Sequence, residues 1–159
     1  MAQNEAILKN YSRKDIQREL VKIAKTREVA VKFGDAGYGK RPDVLQYDSD
    51  VQEFAEQGAT SFHISEERWI DPLKLRSGMI RKELDELRIG FYLIIDIDCK
   101  FIEYSKICAK IITDIFNVYR IKNYGIKFSG GSGFHFMIPF EAFSDNLDNR
   151  ETRLQFPEI

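Results

Sequence analysis

Two short segments hold the side chains that could do chemistry. Asp96-Ile97-Asp98 closes an apolar run from Gly90 to Ile95, and Phe128-Ser129-Gly130-Gly131-Ser132-Gly133-Phe134-His135 leads into a second run. In an extended chain residues two apart share a face, so Asp96 and Asp98 project together while Ile95 and Ile97 point the other way. Two ionised carboxylates side by side repel each other, and a divalent cation between them removes the conflict. Mg²⁺ held by one or two carboxylates plus substrate phosphates is a common arrangement. A solvated strand end that caps the next helix is the alternative for an isolated Asp-x-Asp. In the second segment Gly130, Gly131 and Gly133 permit positive φ and leave backbone N–H groups free to face an anion. Ser129 and His135 stand on opposite arms of the turn, and Lys127 shares a face with Ser129, so all three could reach phosphate oxygens. Taken alone, this segment reads more simply as a glycine-rich tight turn with a surface histidine. Joined to the acidic pair through one helix, it points to a metal-and-phosphate site suited to nucleotide transfer.

The elements that must position these groups follow from periodicity. The run Phe91 to Asp98 is expected as a strand buried on both faces. A helix over 101–119 is expected to bury Phe101, Tyr104, Ile107, Cys108, Ile111, Ile115 and Phe116. Strands over 125–129 and 134–140 flank the glycine turn. A last helix is expected from Asp148, which has capping-box spacing to Glu151, and it stops before Pro157. Upstream, Ser12 is expected to cap a helix carrying Ile16, Leu20, Val21, Ile23 and Ala24. Strands are expected over 27–33 and 59–64, and helices over 50–57 and 79–87, the latter closed by Gly90. His63, between Phe62 and Ile64, and Trp69, near Pro72, are expected to be packing residues.

Composition sets the outer bounds. At 159 residues and 18.5 kDa, with 43% hydrophobic and 13% aromatic residues, the chain is globular and long enough for a single core. Its net charge is -1, so any nucleic-acid binding must come from a local patch. Arg13, Lys14, Arg18, Lys22, Lys25 and Arg27 form such a cluster, followed by Lys40-Arg41. A solvated helix face and a binding stripe both fit it. Cys99 and Cys108 form neither a disulfide framework nor a zinc pair, and point to reduced thiols in a cytoplasmic protein. No run approaches a membrane span, and no membrane partner is expected. Gly34-Asp-Ala-Gly-Tyr-Gly39-Lys40 matches the G-x-x-x-x-G-K part of a phosphate-binding loop. Arg41 stands where the metal-binding hydroxyl belongs, and Pro42 disfavours helical geometry at Arg41. A basic loop that touches phosphate, or a plain surface loop, is the expectation there.

Asp96-Ile-Asp98 followed by Ser129-Gly-Gly-Ser-Gly-Phe-His135 resembles the first two motifs of the archaeo-eukaryotic primase superfamily, notably the small catalytic subunit of archaeal DNA primase. Thr26-Arg27-Glu28-Val29-Ala30-Val31 is similar to that subunit's early Arg-Glu strand, and Ser61-Phe62-His63-Ile64-Ser65 through Trp69 and Pro72 is similar to the segment before its metal strand. The resemblance implies an α+β fold. Its core would be primase-type, RRM- or ferredoxin-like, with a split βαβ order on a mixed sheet that lacks its last strand. It implies one catalytic domain over 1–159, incomplete at its C-terminus, with an α/β portion at 1–89 and a metal- and nucleotide-binding β-α-β-β-α unit at 90–159. Asp96 and Asp98 would be catalytic and would ligate two Mg²⁺ or Mn²⁺ ions; zinc is not expected, because the chain lacks the cysteine cluster to hold it. Ser129, Gly130, Gly131, Ser132, His135 and Lys127 would hold a nucleoside triphosphate, with Glu28 and Arg41 as neighbours of the site. The implied activity is template-directed primer synthesis on single-stranded DNA, with a C-terminal fragment, a primase large subunit or self-association completing the protein. A metal-dependent nuclease and a non-catalytic nucleic-acid-binding relative are the alternatives.

The chain departs from that pattern in three places. Gly131 and Ser132 stand where the family has basic residues. No cysteine cluster is present for the usual zinc element. The third carboxylate belongs to a later strand, for which Asp145 and Asp148 are poor substitutes. A fragment of a longer polypeptide and a degenerate relative both account for this, the first more simply.

Overall fold

The computed structural model describes residues 2–142 and divides the chain into two compact units, 1–89 and 90–159. Each unit has its own apolar cluster where length alone predicted a single core. The helix expected near Asp148, along with Asp145 and Glu151, lies outside the described residues.

The first unit begins with two helices, α1 (Ala2–Tyr11) and α2 (Lys14–Ala24). Ser12 does not cap α2. Its hydroxyl donates to the Leu8 carbonyl and so finishes α1, and Arg13 takes the capping position without a side-chain bond. The core forms where Ala24 of α2 meets Val29 and Val31 of β1 (Val29–Lys32), Val51 of α3 (Asp48–Glu56), Leu45 and Ala59. The Asp50 carboxylate starts α3 by accepting the Tyr47 N–H at 2.9 Å, one half of a capping box. Strand β2 (Ser61–Ile64) pairs antiparallel with β1, with Ala30 opposite His63. A short β3 (Glu67–Trp69) and α4 (Arg81–Leu87) follow.

The second unit is built on β4 (Arg88–Ile97), α5 (Ile102–Val118), β5 (Gly125–Phe128) and β6 (Phe134–Pro139). Gly90 lies inside β4 instead of closing α4, and a Cβ there would meet the Phe140 ring at 3.3 Å. Strand β6 lies between β4 and β5 and is antiparallel to both, so β4 and β5, joined through α5, run in the same direction without touching. Every strand pairing in the described residues is antiparallel, which replaces the expected mixed sheet. The tight glycine turn forces β6 back along β5, and β6 then occupies the place beside β4 that a parallel neighbour would have taken.

Two expectations about burial are corrected here. Strand β4 is covered on one face only: Phe91 and Ile97 are buried, whereas Ile94 is 38% exposed and Asp96 is exposed. An antiparallel sheet with a helix on one side leaves its other face open. Helix α5 buries Phe116 as expected but turns the rest of its expected buried residues to solvent. Ser105, Ala109, Ile112 and Phe116 face the sheet, where Phe116 meets Phe136 edge to face at 5.8 Å. Phe101, Tyr104, Ile107, Cys108, Ile111 and Ile115 are exposed. Both stripes are apolar at helical spacing, and the one with smaller side chains allows the closer approach to the sheet. The helix ends at Arg120, whose φ of 58° is left-handed, while the Ile121 N–H donates to the Phe116 carbonyl at 2.8 Å.

Candidate functional site

Register assembles the acidic strand and the hairpin. Asp96 of β4 is the partner of His135 on β6, and His135 is the partner of Lys127 on β5. Cross-strand partners share a face, so Asp96, His135 and Lys127 form one row across three strands, on the side of the sheet away from Phe136 and α5. The Asp96 Oδ1 lies 3.3 Å from His135 Nε2, an ion pair when the imidazole is protonated. Asp98 follows directly after the strand and is exposed. Between the two acids, Ile97 points into the core, so a buried apolar side chain fixes where both carboxylates leave the backbone.

The glycine turn lies at the end of this row and is organised from within. The Ser129 N–H donates to the Gly133 carbonyl at 3.0 Å, and the Ser129 Oγ accepts the N–H of Gly133 at 3.1 Å and of Gly131 at 3.4 Å. Two of the N–H groups expected to face an anion therefore face Ser129 instead. The three glycines also do different work. Gly130 adopts φ 94°, the left-handed region where a side chain is strained. Gly131 has open space where a Cβ would stand. Gly133 is needed because the turn folds onto β4: a Cβ there would come within 2.3 Å of the Ile97 carbonyl. Ser132 is half-buried beside it.

The other predicted residues, Glu28 and Arg41, belong to the first unit and form a site of their own. Arg41 Nε and its terminal nitrogen each lie 2.7 Å from a carboxylate oxygen of Glu28, a bidentate pair. The Glu28 side chain is 10% exposed and that of Arg41 58%, and the neighbouring carboxylate raises the Arg41 pKa. The pair lines a cleft of about 400 Å³ with Tyr38, His63, Glu67 and Trp69. His63 is exposed, against the packing role expected for it. Its ring stands edge to face with Tyr38 at 5.2 Å, and its Nε2 is 2.9 Å from the Ser61 hydroxyl. Trp69 is buried as expected.

Sequence reasoning missed the network beneath this cleft. The Arg88 guanidinium is almost fully buried, bonds Glu67 at 2.7 Å and Asp85, and lies 5.4 Å from the centre of the Trp69 ring. Burial pushes the Glu67 pKa up, and the Arg88 charge opposes that shift. Asp85 and Arg88 have the i,i+3 spacing of a helical ion pair, which was available as a signal. Nothing in the sequence connects Glu67 to either.

The basic cluster also changes character. Arg27 leaves it, because its side chain is buried and its Nε donates to the Ser65 carbonyl. Arg13 pairs with Asp15, Lys22 with Glu19 at 3.2 Å and Arg18 with Asp48 at 3.5 Å, so much of the positive face of α2 is neutralised locally. The G-x-x-x-x-G-K segment opens no helix: Gly34–Ala36 is a single 3₁₀ turn, and Tyr38 bridges back to Lys32.

Among the described residues no three side chains of His, Cys, Asp and Glu converge into a metal cage. Asp96 and Asp98 offer exposed carboxylate oxygens, donors that suit a hard cation keeping water or phosphate in the rest of its shell. No helix of the described residues is long and apolar enough to cross a membrane. No family model, curated protein or solved structure matches the chain. What the chain establishes by itself is an α+β protein whose sheet pairings are antiparallel.

Proposed function

We propose that the second unit is the metal- and nucleotide-binding part of a primase-type nucleotidyltransferase. The observation that carries this reading is the row Asp96–His135–Lys127, with the Ser129-organised turn at its end. It sets the Asp96 carboxylate beside an imidazole and a cationic lysine on an open sheet face, with Asp98 directly after the strand. The order β4-α5-β5-β6, with β6 inserted between two parallel strands, is the first part of a split βαβ arrangement and supports the same reading.

In this proposal Asp96 and Asp98 hold Mg²⁺ or Mn²⁺, which supplies positive charge against the phosphates of a nucleoside triphosphate. Lys127 and His135 bind phosphate oxygens from the same face. When protonated, His135 also orients Asp96 through the 3.3 Å contact. Ser129 keeps the turn in one shape, so the backbone around Gly130 and Ser132 is preorganised toward the ligand. The nucleophile is the 3′-hydroxyl of a growing strand on a single-stranded DNA template. A partner chain or further polypeptide contributes the acid that the described residues lack.

The test is primer synthesis and extension with labelled ribo- and deoxynucleotides, with and without candidate partner chains, alongside Mn²⁺ titration calorimetry. Asp96→Ala/Asp98→Ala is expected to abolish both incorporation and Mn²⁺ binding. Incorporation that survives the double substitution refutes the polymerase reading, and Mg²⁺-dependent cleavage of DNA without nucleotide use identifies a nuclease instead. The non-catalytic reading predicts template binding with no incorporation under any condition.

A further inference from the structure

Helix α5 carries a second apolar face that the fold does not use. Tyr104, Ile107, Ile111, Ile115 and Val118 recur at 3-4-4-3 spacing and cover a stripe about 80° wide, on a different side of the helix from Ser105, Ala109, Ile112 and Phe116. Their exposure runs from 47% at Ile115 to 77% at Val118, and Tyr119 continues the stripe. Together they leave roughly 600–700 Å² of mostly apolar surface in water. The largest apolar patch of an ordinary monomer is about 300–600 Å², and a standard interface buries about 800 Å² on each partner. One helix thus supplies most of one side of a stable interface.

The pattern of the stripe identifies what covers it. A two-fold interface requires a surface that matches itself when turned through half a revolution. The 3-4-4-3 spacing is symmetric about Ile111. In an antiparallel pair Ile111 meets its own copy, Ile107 meets Ile115 of the second chain, and Tyr104 meets Val118, the bulkiest side chain against the smallest. An unlike partner would impose no such symmetry. The charges beside the stripe are already balanced on the helix, Lys106 with Glu103 at 2.9 Å and Lys110 with Asp114 at 2.8 Å, so a second copy brings no net repulsion. We propose that this protein forms a homodimer through antiparallel packing of α5 on α5, with the two-fold axis at Ile111. The surface lies on the side of the sheet away from the Asp96–His135–Lys127 row, so dimerisation and the proposed nucleotide chemistry can be tested independently.

Sedimentation equilibrium on the full chain, from about 1 to 100 μM, gives the association state. The unsubstituted chain is expected to be a dimer. Ile111→Glu sets two carboxylates against each other at the axis and is expected to raise the dissociation constant by about 100-fold or more, with an unchanged far-UV circular dichroism spectrum. In a Cys99→Ser/Cys108→Ser background, Ile111→Cys is expected to cross-link to itself on mild oxidation. Tyr104→Cys alone is not expected to cross-link, but is expected to do so when mixed with Val118→Cys. A chain that is monomeric throughout the range, a dimer indifferent to Ile111→Glu, or self-cross-linking by Tyr104→Cys overturns the proposal. The cross-linking arm decides the matter even if Ile111→Glu disturbs folding.

Discussion

Gly133→Ala is the smallest substitution that should damage both the turn and the acidic strand. Its new methyl would stand 2.3 Å from the Ile97 carbonyl oxygen and 3.2 Å from the Ser129 Oγ. Backbone of β4 and backbone of the turn must then separate by roughly 1 Å to restore ordinary contact. Overpacking of this kind costs about 1–3 kcal/mol. Separation also loosens the Gly133 N–H to Ser129 Oγ and Ser129 N–H to Gly133 carbonyl bonds, at about 1 kcal/mol. The total is about 2–4 kcal/mol. Since Ile97 lies between Asp96 and Asp98, the same shift moves the two carboxylates relative to each other, and Mn²⁺ affinity should fall with stability. Gly131→Ala is the matched control: nothing lies within 4 Å of its Cβ position, and the change should fall within about 0.5 kcal/mol of the parent. Urea denaturation followed by far-UV circular dichroism compares the two, with calorimetric Mn²⁺ titration on each. Equal stability of Gly133→Ala and Gly131→Ala would refute the account of why the turn folds onto β4.

Two further outcomes concern the first unit. Arg41→Ala should cost about 1–2 kcal/mol in denaturant titration, because it leaves the nearly buried Glu28 carboxylate unpaired; exposure of the arginine keeps the loss below that of a fully buried pair. Burial raises the Glu67 pKa from its ordinary value of 4.5, so the folded protein keeps that proton to higher pH than the unfolded chain. Glu67 therefore contributes most at low pH, and stability declines as pH rises from the ordinary glutamate value toward the folded one. Glu67→Gln should flatten the pH-stability curve just above the ordinary glutamate pKa of 4.5, as measured by thermal melts across buffers.

The strands were legible because they are local. Alternation in Val29 to Lys32 and the apolar run ending at Asp96 mark strands without any tertiary information. What was not legible depended on comparing surfaces. Helix α5 has two apolar stripes, and periodicity ranks the larger one first, whereas packing against a sheet selected Ser105, Ala109, Ile112 and Phe116. The placement of Lys127 beside His135 is a matter of register, which the turn length fixes and composition does not. Arg27 looked like part of a basic surface, yet its side chain lies inside the first unit, where the Ser65 carbonyl receives it. Ser12 has the chemistry of an N-cap but follows a helix that composition did not announce.

The chain's single tryptophan, Trp69, sits buried in the first unit with the Arg88 guanidinium 5.4 Å from its ring centre. Intrinsic fluorescence excited at the indole band therefore reports on the packing of Trp69 against Arg88, the residue that opens β4.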